Sequence, residues 1–158
     1  VQGAALGGGS GLVSVCDYVL AREDTKFGFS EARLGLAPAV ISPYVIAKIG
    51  ESQARAFFTS GTKFGEEKAK EMGLVHQVSL ERHFHNDAKK IVESFLKAGP
   101  VAQKAIKKLI REVGELEVEG CEKVRDYTCK TISQVRIGDE AQEGMAAQLE
   151  KRKPSWME

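Results

Sequence analysis

Four glycines within five residues, Gly7-Gly8-Gly9-Ser10-Gly11, constrain the fold of this chain more than any other feature. Glycine has no Cβ, so such a run lets another group approach the backbone closely. If a helix begins there, its free N–H groups and the positive end of its dipole suit a phosphate or a developing oxyanion. A closely packed strand-to-helix turn explains the same residues, and the residues alone favour neither explanation.

The common phosphate and nucleophile motifs do not fit this cluster. No lysine follows it as the P-loop requires. Leu12 stands where both GxGxxG and the nucleophile elbow GxSxG need a glycine. If the cluster binds a ligand, it does so without any of these motifs.

Composition limits the classes of partner. The 158 residues are 42% hydrophobic, which is enough for a sizeable core. The net charge of +1 argues against a globally basic nucleic-acid binder. No apolar run approaches the roughly 18 residues of a membrane span. We therefore expect neither nucleic acid nor a membrane as a partner.

Neither the cysteines nor the histidines follow a metal-site pattern. Cys16, Cys121 and Cys129 are odd in number and have no CxxC spacing, so we expect no disulfide framework and no zinc site. His83 and His85 are two residues apart and do not share a helix face. We expect solvated histidines, no metal, and a reducing cytoplasmic location.

The distribution of glycine and proline changes near Pro43. Before it, both are frequent, and residues 17–21 and 26–29 are predicted to form short strands. After it the pattern is mostly helical, with one apolar face at helical spacing over residues 101–113. We predict an α/β fold with a glycine-rich α/β part followed by a helical part, and not two independent domains.

Local signals predict several element ends. Ser30 is predicted to cap a helical turn, and Ser42 to cap a helix that has Pro43 at its first position. Gly50 is predicted to end that helix, and Gly114 to interrupt a later one.

Glu31 has apolar neighbours in the sequence. A carboxylate held among apolar side chains can serve as a general acid or base. The alternative is a glutamate in the first turn of a helix that pairs with Arg33, and without further information this alternative is favoured. The apolar neighbours are Phe27, Phe29, Leu34 and Leu36.

Trp156 follows a basic run near the end of the chain, Lys151-Arg152-Lys153. An aromatic ring beside cations can stack on a base and hold phosphates. The alternative is a tail anchor that packs on a neighbouring helix.

Several short blocks stand in a specific order along the whole chain. They are Gly3-Ala4-Ala5-Leu6-Gly7-Gly8-Gly9, Cys16-Asp17, Phe27-Gly28 with Glu31, Leu34-Gly35-Leu36 with Pro38, Gly73-Leu74-Val75, Gln142-Glu143-Gly144-Met145 and Glu150-Lys151-Arg152-Lys153. Together they resemble the C-terminal part of the crotonase (enoyl-CoA hydratase/isomerase) superfamily. The resemblance implies the C-terminal portion of a crotonase-like ββα spiral over residues 1–95, followed by a helical trimerisation region over residues 96–158.

The resemblance also implies roles for residues. In that family two backbone N–H groups hold the acyl-CoA thioester oxygen, and one of them matches Gly8. Typical hydratases use two glutamates. The second matches Glu31, whereas the first falls at Gly11, so that carboxylate is absent here. Gly7, Gly11 and Pro38 are predicted to line the substrate.

A narrower resemblance, to methylglutaconyl-CoA and carboxygeranoyl-CoA hydratases, rests on Gly11-Leu12 and residues 37–45. Those enzymes act on branched acyl-CoAs with a distal carboxylate. Terminal helices in the superfamily cover CoA and form trimers, so Lys153 and Trp156 are predicted CoA contacts and a homotrimer or dimer of trimers is expected. Coenzyme A is then part of the substrate, and no separate cofactor is expected.

The function implied is an enoyl-CoA hydratase-type enzyme. The alternatives are isomerisation or decarboxylation through the same enolate, or an inactive self-associating fragment. The chain opens with Val1 beside the glycine cluster, from which we expect that an upstream part is missing. One oxyanion donor is worth ~10²–10³ in rate, so a chain without its second donor should be weakly active.

Overall fold

The computed structural model describes residues 1–116 and 120–157, and the chain divides into two compact units, Val1–Ala88 and Lys89–Glu158. The first unit contains every strand of the described residues. The second is built from helices.

The strands of the first unit are short and pair in two sheets. In one sheet β1 and β3 are parallel, with Ala5 opposite Phe27, and β4 joins β3 antiparallel, with Phe64 opposite Phe27. In the other, β2 and β5 are parallel, with Ala21 opposite Val78. The strands are β1 (Ala4–Leu6), β2 (Leu20–Arg22), β3 (Lys26–Gly28), β4 (Phe64–Gly65) and β5 (Gln77–Ser79).

Three helices and two 3-10 turns complete this unit among the described residues. The first 3-10 turn covers Ser30–Leu34 and the second covers Glu81–His83, and α4 (Phe84–Leu96) crosses the boundary between the units. The helices are α1 (Gly8–Ser14), α2 (Ser42–Ser60) and α3 (Glu66–Glu71). The predicted helical turn after residue 29 and the predicted strand at residues 26–29 are thus confirmed, whereas the strand predicted at 17–21 begins later, at Leu20.

Two predicted caps are wrong. Phe29 precedes the 3-10 turn and Ile41 precedes α2, so Ser30 and Ser42 are each the first residue inside their element and neither side chain caps it. The Ser42 hydroxyl instead donates to the Ala39 carbonyl at 2.9 Å. Gly50, at φ 77°, is a kink between two helical segments of α2.

The core of the first unit lies between its strands and helices. Phe27, Phe29 and Leu74 are fully buried, and Phe64 stacks on Phe27 with ring centroids 6.0 Å apart. Ser10 is buried among them, and its hydroxyl donates to the carbonyls of Ala5 and Gly28. This serine therefore ties α1 to the ends of β1 and β3.

The second unit consists of α5 (Pro100–Leu116), α6 (Cys121–Arg136) and α7 (Asp139–Leu149). The predicted interruption at Gly114 is wrong, because α5 runs through it; glycine inside a helix costs only about 1 kcal/mol relative to alanine. Residues 117–119, which follow α5 in the sequence, lie outside the described residues. None of the described helices has the length and apolar character needed to cross a membrane.

The predicted apolar face of α5 divides into two parts. Ala102, Ala105 and Leu109 turn toward α6 and line a groove of about 500 Å³. Val101 and Ile110 remain exposed. Ala147 is the one fully buried apolar side chain of this unit among its described residues.

Candidate active site

The glycine cluster forms the turn from β1 into α1. Gly7 adopts φ 51°, a left-handed conformation that favours glycine, and its N–H donates to the Gly28 carbonyl at 2.9 Å. One turn later the Gly11 N–H donates to the Gly7 carbonyl at 3.2 Å. The short helix predicted to leave the cluster is confirmed, although it begins earlier, at Gly8.

The first N–H groups of α1 have no protein acceptor. Within residues 1–116 and 120–157, no carbonyl or side chain accepts from the N–H of Gly8, Gly9 or Ser10. The space beside Gly8 is open, because a Cβ placed there would meet no atom within 4 Å. N–H groups at the start of a helix suit an oxygen that bears negative charge.

Glu31 lies against the start of this helix. A Cβ built on Gly7 would be 3.1 Å from Glu31 Oε1, so only glycine leaves room for the carboxyl group there. Glu31 Oε2 is buried and has no hydrogen-bond partner in the described part of the chain. A buried oxygen without a partner is costly unless a ligand or a proton satisfies it.

The surroundings of Glu31 differ from those expected. Phe27 and Phe29, which precede Glu31 in the sequence, are buried in the core. In contrast, Leu34 is 74% exposed and Leu36 is 63% exposed. The sequence neighbours Leu34 and Leu36 are therefore largely in solvent, whereas Oε2 of Glu31 itself is buried. Nor does the structure pair Glu31 with Arg33 among the described ion pairs: the Arg33 side chain lies against Gly61.

Gly11 is covered by a residue that sequence reasoning missed. A Cβ on Gly11 would be 2.8 Å from Ile41 Cβ and would also overlap Ile41 Cγ2. Glu31 therefore lies against Gly7, the residue before α1, and Ile41 lies against Gly11 inside the helix. A glycine inside a helix signals close approach, but nothing in the sequence identifies the approaching residue.

The remaining predicted residue of the first unit, Pro38, lies in the segment between the 3-10 turn and α2. Its carbonyl accepts from the Ser42 N–H at 3.0 Å, which sets the start of α2 and so places Ile41. The first unit thus holds Gly7, Gly8, Gly11, Glu31 and Pro38.

Lys153 and Trp156 belong to the second unit. Lys153 is exposed, and its carbonyl accepts from Arg152. The Trp156 ring lies over Gly144 of α7, where a Cβ would be 3.0 Å from Cη2, and its N–H donates to the Lys97 carbonyl at 3.2 Å. These contacts are those of an anchor packed on a helix, and the ring also borders a cavity of about 640 Å³.

A metal site is the other kind of site that the histidines of this chain could suggest. Among the described residues, no group of three or more His, Cys, Asp and Glu side chains could hold a metal ion. His76 is exposed, but its Nδ1 accepts from the Val19 N–H at 3.0 Å and its ring stacks on Tyr18. Burial lowers the pKa of His76, and the charge of Lys48 lowers it further. This histidine therefore supports the sheet of β2 and β5.

The sequence profile described as enoyl-CoA hydratase/isomerase matches residues 1–158. A carnitinyl-CoA dehydratase from Escherichia coli is 28% identical over 158 residues, which are 99% of this chain and 60% of that protein. The chain thus spans about three fifths of the length of the curated relatives it matches.

Solved structures match the fold over nearly the whole chain. A Legionella pneumophila protein described as an enoyl-CoA hydratase/isomerase (crotonase) is 40% identical, with a TM-score of 0.90 over 99% of this chain and 60% of its own. An enoyl-CoA hydratase/isomerase from Marinobacter aquaeolei is 34% identical, with a TM-score of 0.91 over 99% of this chain and 58% of its own.

Proposed function

Because this chain belongs to the enoyl-CoA hydratase/isomerase family, with a crotonase-like α/β fold, we propose that it acts on an acyl-CoA thioester through an enolate. The observation that carries the proposal is the buried, unpartnered Oε2 of Glu31 beside the free N–H groups at the start of α1. Such an arrangement combines a donor for a developing oxyanion with a proton-transfer group.

The first role is that of the Gly8 N–H. When a proton leaves Cα of the acyl group, or water adds to Cβ, negative charge moves to the thioester oxygen. In this proposal the Gly8 N–H, at the start of α1, donates to that oxygen and stabilises the charge. Gly7 leaves room for the Glu31 carboxyl group and Gly11 for Ile41. Gly7, Gly11 and Pro38 are proposed to line the substrate.

The second role is that of Glu31. In hydration the oxygen of water forms the bond to Cβ while a proton reaches Cα, and Glu31 carries the proton between water and Cα. Dehydration is the reverse of these steps. Isomerisation would use the same carboxylate to move a proton from Cα to Cγ, and decarboxylation would form the same enolate by release of CO₂.

The substrate class is proposed to be a branched, carboxylated acyl-CoA, such as methylglutaconyl-CoA. Glycine at position 11 supports it, together with the resemblance of residues 37–45 to hydratases for such substrates. Coenzyme A would enter as part of the substrate and no separate cofactor is proposed, with Lys153 and Trp156 as proposed contacts of its nucleotide.

We also propose a homotrimer or a dimer of trimers, located in the cytoplasm. Exposed apolar side chains on the helices of the second unit support self-association. The three cysteines are free thiols, which fits a reducing compartment.

The test is turnover of crotonyl-CoA and methylglutaconyl-CoA by the protein and by Glu31→Gln, which keeps the size of the side chain. We expect kcat to fall about 100-fold or more, because the variant cannot carry the proton. Glu93→Gln, an exposed glutamate 3.9 Å from Lys89, is the matched control and should retain activity. Equal activity of the protein and Glu31→Gln would remove Glu31 from the mechanism.

A second candidate, a non-catalytic self-associating chain, is supported by the exposed apolar side chains of the second unit. It predicts an oligomer by light scattering and no heat of CoA binding by calorimetry. Measurable CoA affinity together with turnover would exclude it.

A further inference from the structure

The Ser10 hydroxyl joins the first turn of α1 to two strands. Ser10 is fully buried, and its Oγ lies 2.7 Å from the Ala5 carbonyl of β1 and 3.2 Å from the Gly28 carbonyl of β3. A hydroxyl has a single proton to donate, so the two carbonyls share it. The hydroxyl is therefore engaged with the backbone inside the core, where it links three elements.

The Gly28 carbonyl at the end of β3 is an acceptor for both sides of the glycine turn. It accepts from the Gly7 N–H at 2.9 Å and from the Ser10 hydroxyl. Gly8, whose N–H is proposed to hold the thioester oxygen, lies between these two residues in the chain. The position of the Gly8 N–H therefore depends on how Gly7 and Ser10 are held against β3.

The same end of β3 leads to Glu31. This residue follows Gly28 by three positions, inside the 3-10 turn Ser30–Leu34, and its Oε1 would lie 3.1 Å from a Cβ on Gly7. The hydrogen bonds to Gly28 thus join the turn that carries the proposed N–H donor to the segment that carries the proposed proton-transfer group.

We infer that Ser10 is a positioning residue for the proposed reaction, because its buried hydroxyl sets where the Gly8 N–H lies relative to the Glu31 carboxyl group. The inference rests on the proposed function. Ser10 acts through the strand carbonyls and not on the substrate itself. Placement of this kind matters for rate, since a misplacement of about 1 Å can cost about 100-fold.

Ser14 offers a matched control in the same helix. It is buried, and its hydroxyl donates to the Ser10 carbonyl at 2.9 Å, a bond between two residues of α1. Ser14→Ala therefore removes a buried hydroxyl and its hydrogen bond, as Ser10→Ala does, but it leaves the bonds from Ser10 to β1 and β3 in place.

The experiment measures kcat and KM for crotonyl-CoA and methylglutaconyl-CoA with the protein, S10A, S10C and S14A. We expect S10A to lower kcat about 10-fold or more and to leave KM within about twofold, because the lost placement matters mainly in the transition state. S10C keeps a weak donor of similar size and should recover part of the loss. S14A should keep the kcat of the unmodified protein.

Hydrogen exchange reports the link without turnover. The Gly7 amide should exchange at least about 10-fold faster in S10A than in S14A, because the turn opens more readily once its tie to the strands is lost. Thermal unfolding of both variants shows whether they lose similar stability. If S10A does not fold, S10C against S14A makes the same comparison with a smaller expected difference.

The outcomes separate this inference from the proposed function. In a protein that turns over substrate, equal kcat in S10A and S14A, or a rise in KM with kcat unchanged in S10A, would overturn the role of Ser10 while the proposed function stands. Equal exchange of the Gly7 amide in the two variants would overturn it as well. No turnover by the unmodified protein would overturn the proposed function and this inference with it.

Discussion

The two units of this chain bury different shares of their large apolar side chains, although both expose some, such as Leu12 in the first unit. In the first unit phenylalanines from β3 and β4 are buried in a common core beneath the glycine turn. In the second unit large apolar side chains such as Ile110, Ile132 and Leu149 are exposed, and Ala147 is the buried exception among the described residues. Burial of apolar area is the main source of folding free energy, so the first unit contains most of its own stabilisation.

Polar contacts carry more of the structure in the second unit. Glu140 of α7 accepts from the N–H groups of Val101 and Ala102 at the start of α5, at 2.8 and 2.7 Å. Glu143 accepts from both terminal nitrogens of Arg152, at 2.6 and 2.7 Å. The comparison teaches that the candidate active site lies in the first unit, which has the apolar core. The second unit has apolar side chains that are still available to a partner.

The contrast is tested most strongly by truncating one apolar residue in each unit. Phe27→Ala leaves a cavity in the core and should lower the free energy of unfolding by about 3–5 kcal/mol. Ile132→Ala, at a side chain 62% exposed, should lower it by less than about 1 kcal/mol in the unassociated chain. Urea unfolding at low protein concentration measures both, and similar losses would contradict the contrast.

Removal of the acceptor at the start of α5 should have an intermediate effect. Glu140→Ala leaves two helix N–H groups without their acceptor and should cost about 1–2 kcal/mol. Hydrogen exchange should accelerate in the first turn of α5. Glu140→Gln keeps one acceptor oxygen and should lose less, so an equal loss in the two variants would argue against capping.

Low pH should destabilise the C-terminal end of the second unit. Hydrogen bonds from the Arg152 guanidinium, and then from the Ser155 N–H, lower the pKa of Glu143 to about 2 from an ordinary value of 4.5. A lowered carboxyl pKa stabilises the folded state above pH 4.5, and this contribution is lost as the pH falls toward 2. Fluorescence of Trp156, the single tryptophan, should change over that range, and Glu143→Gln should abolish the acid-dependent step.

The smallest effect is expected at His76 in the first unit. Its pKa is lowered below 6.5, so the fold favours the neutral ring that accepts from Val19. The stabilisation is complete above pH 6.5 and is lost as the pH falls below that value. The protection factor of the Val19 amide against hydrogen exchange should drop between pH 7.5 and 5 in the protein but not in His76→Gln. The same drop in both proteins would show that protonation of His76 is not its cause.

Much of the local structure was predictable because its causes are local. The glycine run predicted a close approach to the backbone, and the short strand predicted at residues 26–29 is found at Lys26–Gly28. Predictions failed where tertiary packing outweighs local preference. Gly114 lies inside a helix that it was predicted to interrupt, and Ser30 and Ser42 do not cap their elements.

The sequence by itself determined that a glycine-rich turn and an acidic residue are present, and that position 11 lacks a carboxylate. Only the tertiary structure decided that Glu31 contacts the turn at Gly7 and that Ile41 covers Gly11. The physical reason is that both contacts join separate elements. Their distances depend on how the core packs α1 against the 3-10 turn and α2, and no local propensity encodes that packing.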